Sequence, residues 1–329
     1  MGLPGVLAGL LSDDPRPETP TTSLYFATAM AAHLEDGSLQ RIEPNVFAAE
    51  DTLVVMRHWS AATRRFLEER PELQVIYFID DDLWGLNGEH GLKAGYLSRL
   101  TRLAEAFERE LRPRTTRVVS PSSRILAHFP ELETHLLAPA LVHALAPLDH
   151  HEEGAVKLVF CGTASHLSDL ERLSPVLAEL LNARKGLHLT TFLGNQVPNA
   201  LKLSQCTHHE PQSWADYRQT IATSRFHIGL APLTPTDFNL ARSGSRLMDH
   251  AALGAAGLYS AVGPFEELIE DGGNGRLVNG GPEAWRTAIC ELSEDRFLCR
   301  RLAAGGQASA AELGDPGRIR RFWSSLLGL

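Results

Sequence analysis

Short apolar runs that alternate with longer helical patterns are the feature of this sequence that most limits its possible folds. Residues 74–79 (QVIYFI) form one such run, and residues 96–112 follow with apolar side chains at three- and four-residue spacing. Residues 156–161 (VKLVFC) form another, which also leads into a helical pattern. Strands that alternate with helices in this way predict an α/β fold with parallel, doubly wound sheets. Ligands of such sheets bind beyond the carboxyl ends of the strands.

The composition favours a folded protein of two domains that does not bind nucleic acid. The chain has 329 residues, of which 43% are hydrophobic and 22% are charged, as is usual for soluble globular proteins. This length favours two domains. The net charge of -9, with no long basic run, argues against nucleic acid as a partner. No apolar run approaches the ~20 residues of a membrane span. We therefore expect a cytoplasmic protein with no transmembrane segment, and peripheral contact with a membrane surface stays open.

The first residues and the cysteines agree with that expectation. Residues 1–20 are briefly apolar, lack a basic start and run into acids and prolines, so we expect a flexible or loosely docked lead-in rather than a signal peptide. The four cysteines lie far apart without a C-x-x-C pair. Their spacing favours reduced thiols over a disulfide framework or a zinc site.

The polar residues of the stretch 226–265 predict a ligand site. After a short apolar run and a loop of Thr, Pro and Asp, a helix is predicted from Leu240. Its polar positions recur at three- and four-residue steps, which would place four of them on one helical face: Asn239, Arg242, Arg246 and Asp249. Two guanidinium groups near a helix N-terminus suit a phosphate, and a carboxylate can accept hydrogen bonds from sugar or ribose hydroxyls. The stretch therefore indicates a nucleotide-sugar site, and a solvated helix face with one Arg–Asp pair is the alternative.

The same stretch resembles a known family. Residues 238–278 read FNLARSGSRLMDHAALGAAGLYSAVGPFEELIEDGGNGRLV, which is similar to the donor-binding segment of GT-B glycosyltransferases of the family-four type, in one bacterial branch. The matching positions are Phe238, Asn239, Arg242, Ser243, Arg246, Asp249, Ala252, Gly254, Gly263, Pro264, Phe265, Asp271, Gly272, Gly275, Leu277 and Val278. This chain has Arg246 where the branch usually has Lys, and Asp249 where it usually has Glu. Both changes keep the charge and alter the reach of the side chain.

The resemblance implies a fold, a reaction and a set of roles. It implies two Rossmann-like domains that face a cleft, and transfer of a sugar from a nucleotide diphosphate sugar to a hydroxyl of a glycan, protein or small-molecule acceptor. Arg242 and Arg246 would stabilise the leaving diphosphate, where charge develops in the transition state. Asn239 and Ser243 would hold phosphate or sugar oxygens, and Asp249 would hold the ribose. The other positions assigned to the donor side of this segment are Gly263 and Pro264. Family-four members retain the anomeric configuration and need no metal, so neither a metal nor a cofactor is expected.

A second donor-binding element is predicted at the end of the run 156–161. Gly162 and Thr163 follow this run and precede a helix, an arrangement that brings backbone close to a phosphate. The absence of G-x-G-x-x-G argues against a nicotinamide dehydrogenase. A similar Gly-Thr/Ser-x-x-His-x-x-Asp-Leu run occurs in the same branch, which implies that His166 points toward the donor. The alternative is a histidine at the helix start that pairs with Asp169.

The acidic triplet after residues 74–79 has two interpretations. The carboxylates of Asp80, Asp81 and Asp82 suit magnesium or manganese, but they can also cap the next helix and line a cleft. A similar Asp-Asp-x-Leu-Trp run in the first domain of the same branch favours the second interpretation. Asp81 or Asp82 would then contact acceptor hydroxyls, and one of them, with Asp82 as the candidate, could serve as a base in an inverting variant. Residues 150–153 (HHEE) are another conceivable metal set, although adjacent residues on a linker rarely converge on one ion.

These elements predict an order of domains along the chain. Residues 1–145 would form a Rossmann-like domain on the acceptor side, which is short for the fold, and residues 146–155 a linker. Residues 156–305 would bind the nucleotide sugar, and residues 306–329 would form a C-terminal helix that packs back on the first domain.

Two other classes of function stay open. A non-catalytic GT-B-like protein that binds a glycan or a partner would fit the short first domain and Asp249. It would bind glycan without donor hydrolysis or transfer. A nucleotide-sugar epimerase would also fit a doubly wound fold, and product analysis without an acceptor would reveal it.

Overall fold

The computed structural model describes residues 15–86 and 92–329. Most of the predicted lead-in, residues 1–14, lies outside the described residues. In the part of the chain that is described, no helix is both long enough and apolar enough to cross a membrane.

The described residues form two compact units. The first consists of the described residues up to Val142 together with Ala241–Ser243 and Pro316–Leu329, and the second consists of His143–Leu240 and Gly244–Asp315. The predicted boundaries at residues 145, 155 and 305 stay predictions.

Within the described residues, the first unit contains a six-stranded sheet in the order β1-β2-β3-β4-β5-β6. The strands are β1 Gln40–Glu43, β2 Val46–Ala49, β3 Thr52–Met56, β4 Gln74–Phe78, β5 Thr115–Ser120 and β6 Glu133–Leu136. The first three are antiparallel neighbours, and β3 to β6 are parallel. Every residue of β3 is buried, which explains its continuous apolar run, because a parallel strand with both faces covered has no solvent side.

One helix of the first unit, Ala94–Glu110, follows the apolar pattern predicted for residues 96–112. The helices in the first part of this unit are, in chain order, α1 Pro20–Thr22, a π-helix Ser23–Ala27, α2 Ala31–Glu35, α3 Ala61–Glu68, α4 Ala94–Glu110, a 3-10 helix Arg112–Arg114 and α5 Ser123–Leu126. The Ser60 hydroxyl accepts a hydrogen bond from the Ala62 N–H at 3.0 Å and so caps α3. Leu100, Leu103 and Phe107 are buried on one face of α4, as their spacing predicts.

The second unit, all of whose residues are described, contains a fully parallel six-stranded sheet. Its order is β12-β11-β10-β7-β8-β9. The strands are β7 Val156–Phe160, β8 Leu187–Thr191, β9 Cys206–His208, β10 Ile228–Ala231, β11 Ala256–Ser260 and β12 Arg276–Val278. Counted within this unit the order is 6-5-4-1-2-3, which is the Rossmann order, and the direction of chain progression reverses between β7 and β10.

Helices cover the second sheet and bury its apolar residues. The α-helices are α6 Leu167–Ala183, α7 Trp214–Thr223, α8 Asp237–Leu240, α9 Arg246–Leu253, α10 Pro264–Leu268, α11 Pro282–Glu294 and α12 Arg296–Leu313. Short 3-10 helices lie at Asp149–His151, Ala164–His166, Gly194–Gln196 and Asn199–Leu201. Leu170 and Leu177 of α6 pack with Ile289 of α11 in the core that contains Leu158 of β7.

The last helix, α13 Pro316–Leu327, belongs to the first unit. Its buried face places Trp323 in the core of that unit, with the indole ring 4.8 Å from the Phe26 ring in an edge-to-face contact. The indole N–H donates a hydrogen bond to the Tyr25 carbonyl at 2.6 Å. A fully buried Trp whose N–H is satisfied fixes α13 against the helical segment that contains Tyr25 and Phe26.

Candidate functional site

The reversal point of the second sheet lies between β7 and β10, which are hydrogen-bonded neighbours. Doubly wound sheets bind ligands at this place, beyond the carboxyl ends of the two strands. The loop that follows β7 contains Gly162, Thr163 and His166, and the loop that follows β10 leads to Asn239. The structure therefore brings four of the predicted residues to the same edge of one sheet.

The turn after β7 requires glycine at position 162. A Cβ atom there would lie 2.2 Å from the Phe160 ring and 3.0 Å from the His166 Cβ. The hydroxyl of Thr163 lies 3.1 Å from the Ser165 hydroxyl. The chain thus turns tightly from β7 toward α6, with Gly162 buried and Thr163 exposed at the turn.

A buried carboxylate connects the two loops. Asp169, in the first turn of α6, is only 2% exposed. One of its oxygens accepts hydrogen bonds from the Thr234 N–H at 2.8 Å and from the Asn239 amide at 3.4 Å. The other oxygen lies 3.4 Å from His166 Nδ1. His166 therefore makes the contact with Asp169 that the sequence left as the alternative, and its contact with the donor stays a prediction.

Asn239 is anchored within the second unit. Besides Asp169, its amide nitrogen donates to the Thr234 carbonyl at 3.0 Å. Because both hydrogen bonds use the amide nitrogen, any contact between Asn239 and a ligand would involve its side-chain oxygen.

The helix predicted from Leu240 is wrong in its extent. The chain forms the short α8, which ends at Leu240, and then α9 from Arg246, with residues 241–245 non-helical between them. The sequence Ser243-Gly244-Ser245 disfavours a continuous helix. A Cβ at Gly244 would also lie 2.0 Å from a Leu268 methyl carbon. The four polar residues from Asn239 to Asp249 therefore do not share one helical face.

Arg246 and Asp249 form an ion pair on α9, with side chains that are 21% and 13% exposed. Burial alone would lower the pKa of Arg246, but the Asp249 carboxylate raises it above its ordinary value. The neighbouring Cys161 thiol has its pKa raised to about 12, first by burial and then by Asp249. Burial, with Arg246 nearby, lowers the pKa of His250 to about 3. Arg246 is thus the cation of this cluster, and His250 is neutral.

Arg242 and Ser243 belong to the first unit and contact its side chains. A guanidinium nitrogen of Arg242 lies 3.2 Å from a carboxylate oxygen of Asp81, and the Ser243 hydroxyl lies 2.6 Å from the Tyr25 hydroxyl. The structure therefore places Arg242 with a residue that follows β4, and Ser243 with the π-helix Ser23–Ala27.

Arg57, which follows β3, forms ion pairs with the acidic residues that follow β4. Its guanidinium pairs with Asp80 at 3.0 Å and also with Asp81, and the Tyr96 hydroxyl donates to Asp81 at 2.8 Å. Burial alone would raise the pKa of Asp81, but the guanidinium groups of Arg57 and Arg242 hold it below its ordinary value. The pKa of Asp80 is raised, first by burial, with Arg57 opposing the shift. Asp81 is thus an anion that two arginines share.

Asp82 is also buried and has partners of its own. One carboxylate oxygen accepts hydrogen bonds from the N–H groups of Trp84 and Gly85 at 3.0 and 2.7 Å. The same oxygen lies 3.1 Å from His128 Nε2. These contacts stabilise the turn after β4. They do not cap the next helix, α4, whose N-cap residue is Lys93, so the cap that the sequence analysis weighed against metal binding is not observed for Asp82.

The other predicted positions lie at element ends. Gly263, with a φ of 60°, precedes α10, and Pro264 is the first residue of that helix. The described residues contain no group of three or more His, Cys, Asp or Glu side chains that could hold a metal ion.

Sequence reasoning placed Arg57 at the ligand edge of the first sheet and named Asp169 as the alternative partner of His166, but it did not identify Tyr96 as a site residue. Arg57 directly follows β3, and a charged residue at a strand end was the signal for that position, whereas Asp169 lies in the first turn of α6. The contacts of Tyr96 depend on how α4 packs against the rest of the unit, so the local sequence pattern does not predict them.

No family model and no curated protein matches the sequence. Solved structures do match in fold. A sucrose-phosphate synthase from Thermosynechococcus elongatus is 13% identical, with a TM-score of 0.56 over 80% of this chain and 69% of that chain. Anabaena HepE in complex with UDP and glucose is 15% identical, with a TM-score of 0.58 over 81% of this chain and 74% of that chain.

A third match is a variant of S. aureus TarM in complex with fondaparinux, alpha-GlcNAc-glycerol and UDP. It is 11% identical, with a TM-score of 0.58 over 80% of this chain, which spans 53% of the TarM chain. These three matches are GT-B glycosyltransferases. They confirm the predicted fold class, an α/β fold with two Rossmann-like units of the GT-B type.

Proposed function

We propose that this protein is a glycosyltransferase that moves a sugar from a nucleotide diphosphate sugar to an acceptor hydroxyl. The observation that carries the proposal is the reversal point of the second sheet, where the glycine turn after β7 and the loop after β10 meet. The GT-B fold supports it, and two of the similar structures hold UDP. The resemblance of residues 238–278 to a donor-binding segment agrees with the same assignment.

Arg246 and Asp249 are the proposed contacts to the diphosphate and the ribose. They pair with each other on α9, but a guanidinium has five N–H donors and can bind a carboxylate and a phosphate together. Gly162, Thr163 and Gly263 would complete the donor site with backbone N–H groups, and Pro264, which has no N–H, would begin the helix that follows Gly263. Positive charge from Arg246 would stabilise the leaving diphosphate without a metal ion, and retention of the anomeric configuration is part of the proposal.

The roles of Arg242, Ser243 and Asp82 follow from their partners. Arg242 would contribute positive charge while Asp81 holds its guanidinium, and Ser243 would act from beside Tyr25. The contacts of Asp82 support a structural role in the turn after β4, so a role as base requires its second oxygen.

The first test is nucleotide binding. Calorimetry and thermal shift with UDP, GDP, dTDP and CMP, each with and without a chelator, should identify one nucleotide that binds and stabilises the protein without metal. Arg246→Ala should weaken that binding by about 10- to 100-fold, because hydrogen bonds to charged groups contribute about 1.5–3 kcal/mol. Arg286→Ala is the matched control, since Arg286 forms a partly exposed ion pair with Glu283 at 2.9 Å.

Two results would contradict the proposal. One is the absence of binding by every nucleotide in the panel. The other is binding that needs a divalent metal and is unchanged in Arg246→Ala.

A further inference from the structure

Asp169 connects the two loops that define the reversal point. It receives hydrogen bonds from Thr234 and Asn239, which lie after β10, and it contacts His166, which lies after β7. Its side chain is 1% exposed. A buried carboxylate with partners on both loops can fix the distance between them and the orientation of each partner.

The hydrogen bonds also determine how His166 is protonated. A carboxylate only accepts hydrogen bonds, so His166 Nδ1 must carry the hydrogen that points at Asp169. In the neutral ring the lone pair then lies on Nε2. The other Asp169 oxygen accepts hydrogen bonds from Thr234 and Asn239, so rotation of the carboxylate would break those bonds.

We propose that Asp169 is a positioning residue. It sets the tautomer of His166 and holds the loop after β10 at a fixed position relative to the loop after β7. This inference rests on the proposed function only for its effect on sugar transfer. His166 would act on the donor through Nε2, and Asp169 would act through His166 without a contact to the substrate.

The decisive variant is Asp169→Asn. The amide oxygen would stay with Thr234 and Asn239, since both are donors, and the amide nitrogen would face His166 Nδ1. His166 would then carry its hydrogen on Nε2, as in an Asp-to-Asn change behind a catalytic histidine. Nitrogen-15 NMR of the full chain, with the His166 signals identified from His166→Gln, should show the hydrogen move from Nδ1 to Nε2.

Kinetics should agree with the spectrum. In Asp169→Asn the rate constant for transfer should fall by about 10- to 100-fold, because His166 Nε2 would change from a hydrogen-bond acceptor to a donor where it faces the donor substrate, while KM for the donor changes much less. In a His166→Gln background the added Asp169→Asn change should lower the rate by only about threefold or less, since the two residues act as one unit. Asp216→Asn is the matched control, because Asp216 is an exposed acid in the first turn of α7 that accepts from the Ser213 hydroxyl at 2.6 Å.

Two outcomes would overturn the inference. One is an Asp169→Asn protein in which His166 keeps its wild-type tautomer. The other is a loss of rate that is as large in the His166→Gln background as in the wild type, which would indicate a purely structural role. If wild-type protein binds no nucleotide, the proposed function fails, and the NMR experiment still decides the role of Asp169.

Discussion

A small cluster of buried, charged side chains lies at the ends of β3 and β4. Asp81 is 4% exposed at its side chain and accepts from Arg57, Tyr96 and Arg242. A buried pair of this kind gives little net stability when it forms, because both ions lose their hydration. Loss of one partner is costly, because the remaining charge stays buried without compensation. Asp81 therefore carries more of the stability of this cluster than its single charge suggests.

Asp81→Asn should lower the free energy of unfolding by roughly 3 kcal/mol, the low end of the cost of breaking a buried ion pair, because the amide oxygen still accepts one hydrogen bond. Urea unfolding of the variant and the wild type at the same pH would measure it. Glu179→Gln serves as the control, because Glu179 is 66% exposed where it pairs with Arg286, and its loss should cost less than about 1 kcal/mol. Equal effects of the two changes would contradict this account of Asp81.

At the scale of elements, strands and long helices could be predicted from the sequence, and the break between α8 and α9 could not. The apolar runs that predicted β4, β7 and α4 depend on a regular period along the chain, which is visible locally. The break at residues 241–245 depends on contacts such as that of Gly244 with Leu268, which lies in α10. Contacts between distant parts of the chain overrode the helical pattern there. Contacts between residues that are distant in the sequence also determine which of the predicted site residues lie close together.

Gly254 ends α9 in the left-handed conformation, with a φ of 68°. Gly254→Ala should lower the free energy of unfolding by about 1–2 kcal/mol, the cost of that conformation for an L residue. The added methyl group would also lie 2.9 Å from His150 Cε1. Gly186→Ala is the control, because a Cβ at Gly186 meets nothing within 4 Å. Thermal or urea unfolding that shows no difference between the two variants would exclude the strain proposed at Gly254.

At the scale of the whole molecule, the α/β class could be predicted and the order of the strands could not. Parallel strands follow from the alternation of strands and helices, whereas strand order follows from pairings that are remote in sequence. The antiparallel neighbours β1 and β2 fall in the first fifty residues, for which the sequence analysis predicted no strand. Their strands are only four residues long, which is too short for a clear alternating pattern.

Stability of the second unit should depend on pH through a cluster of three histidines, of which His151 and His227 are buried. The ring centroids of His150, His151 and His227 lie 4.4 to 5.2 Å apart. His227 Nδ1 accepts from the Lys157 N–H at 3.1 Å, so the neutral ring is the form that the fold requires. Burial, with Arg296 nearby, lowers the pKa of His151 and of His227 to about 4. An unfolded histidine titrates near about 6.5.

Between about pH 6.5 and 4 the unfolded chain therefore binds more protons than the folded chain, so the free energy of unfolding falls as the pH falls. Each histidine contributes at most about 1.4 kcal/mol per pH unit in this window, and above it the contribution is constant. Urea unfolding across the window should give a shallower slope for His227→Gln than for the wild type, whatever the effect on absolute stability. An unchanged slope in His227→Gln would show that His227 is not held neutral in the folded chain.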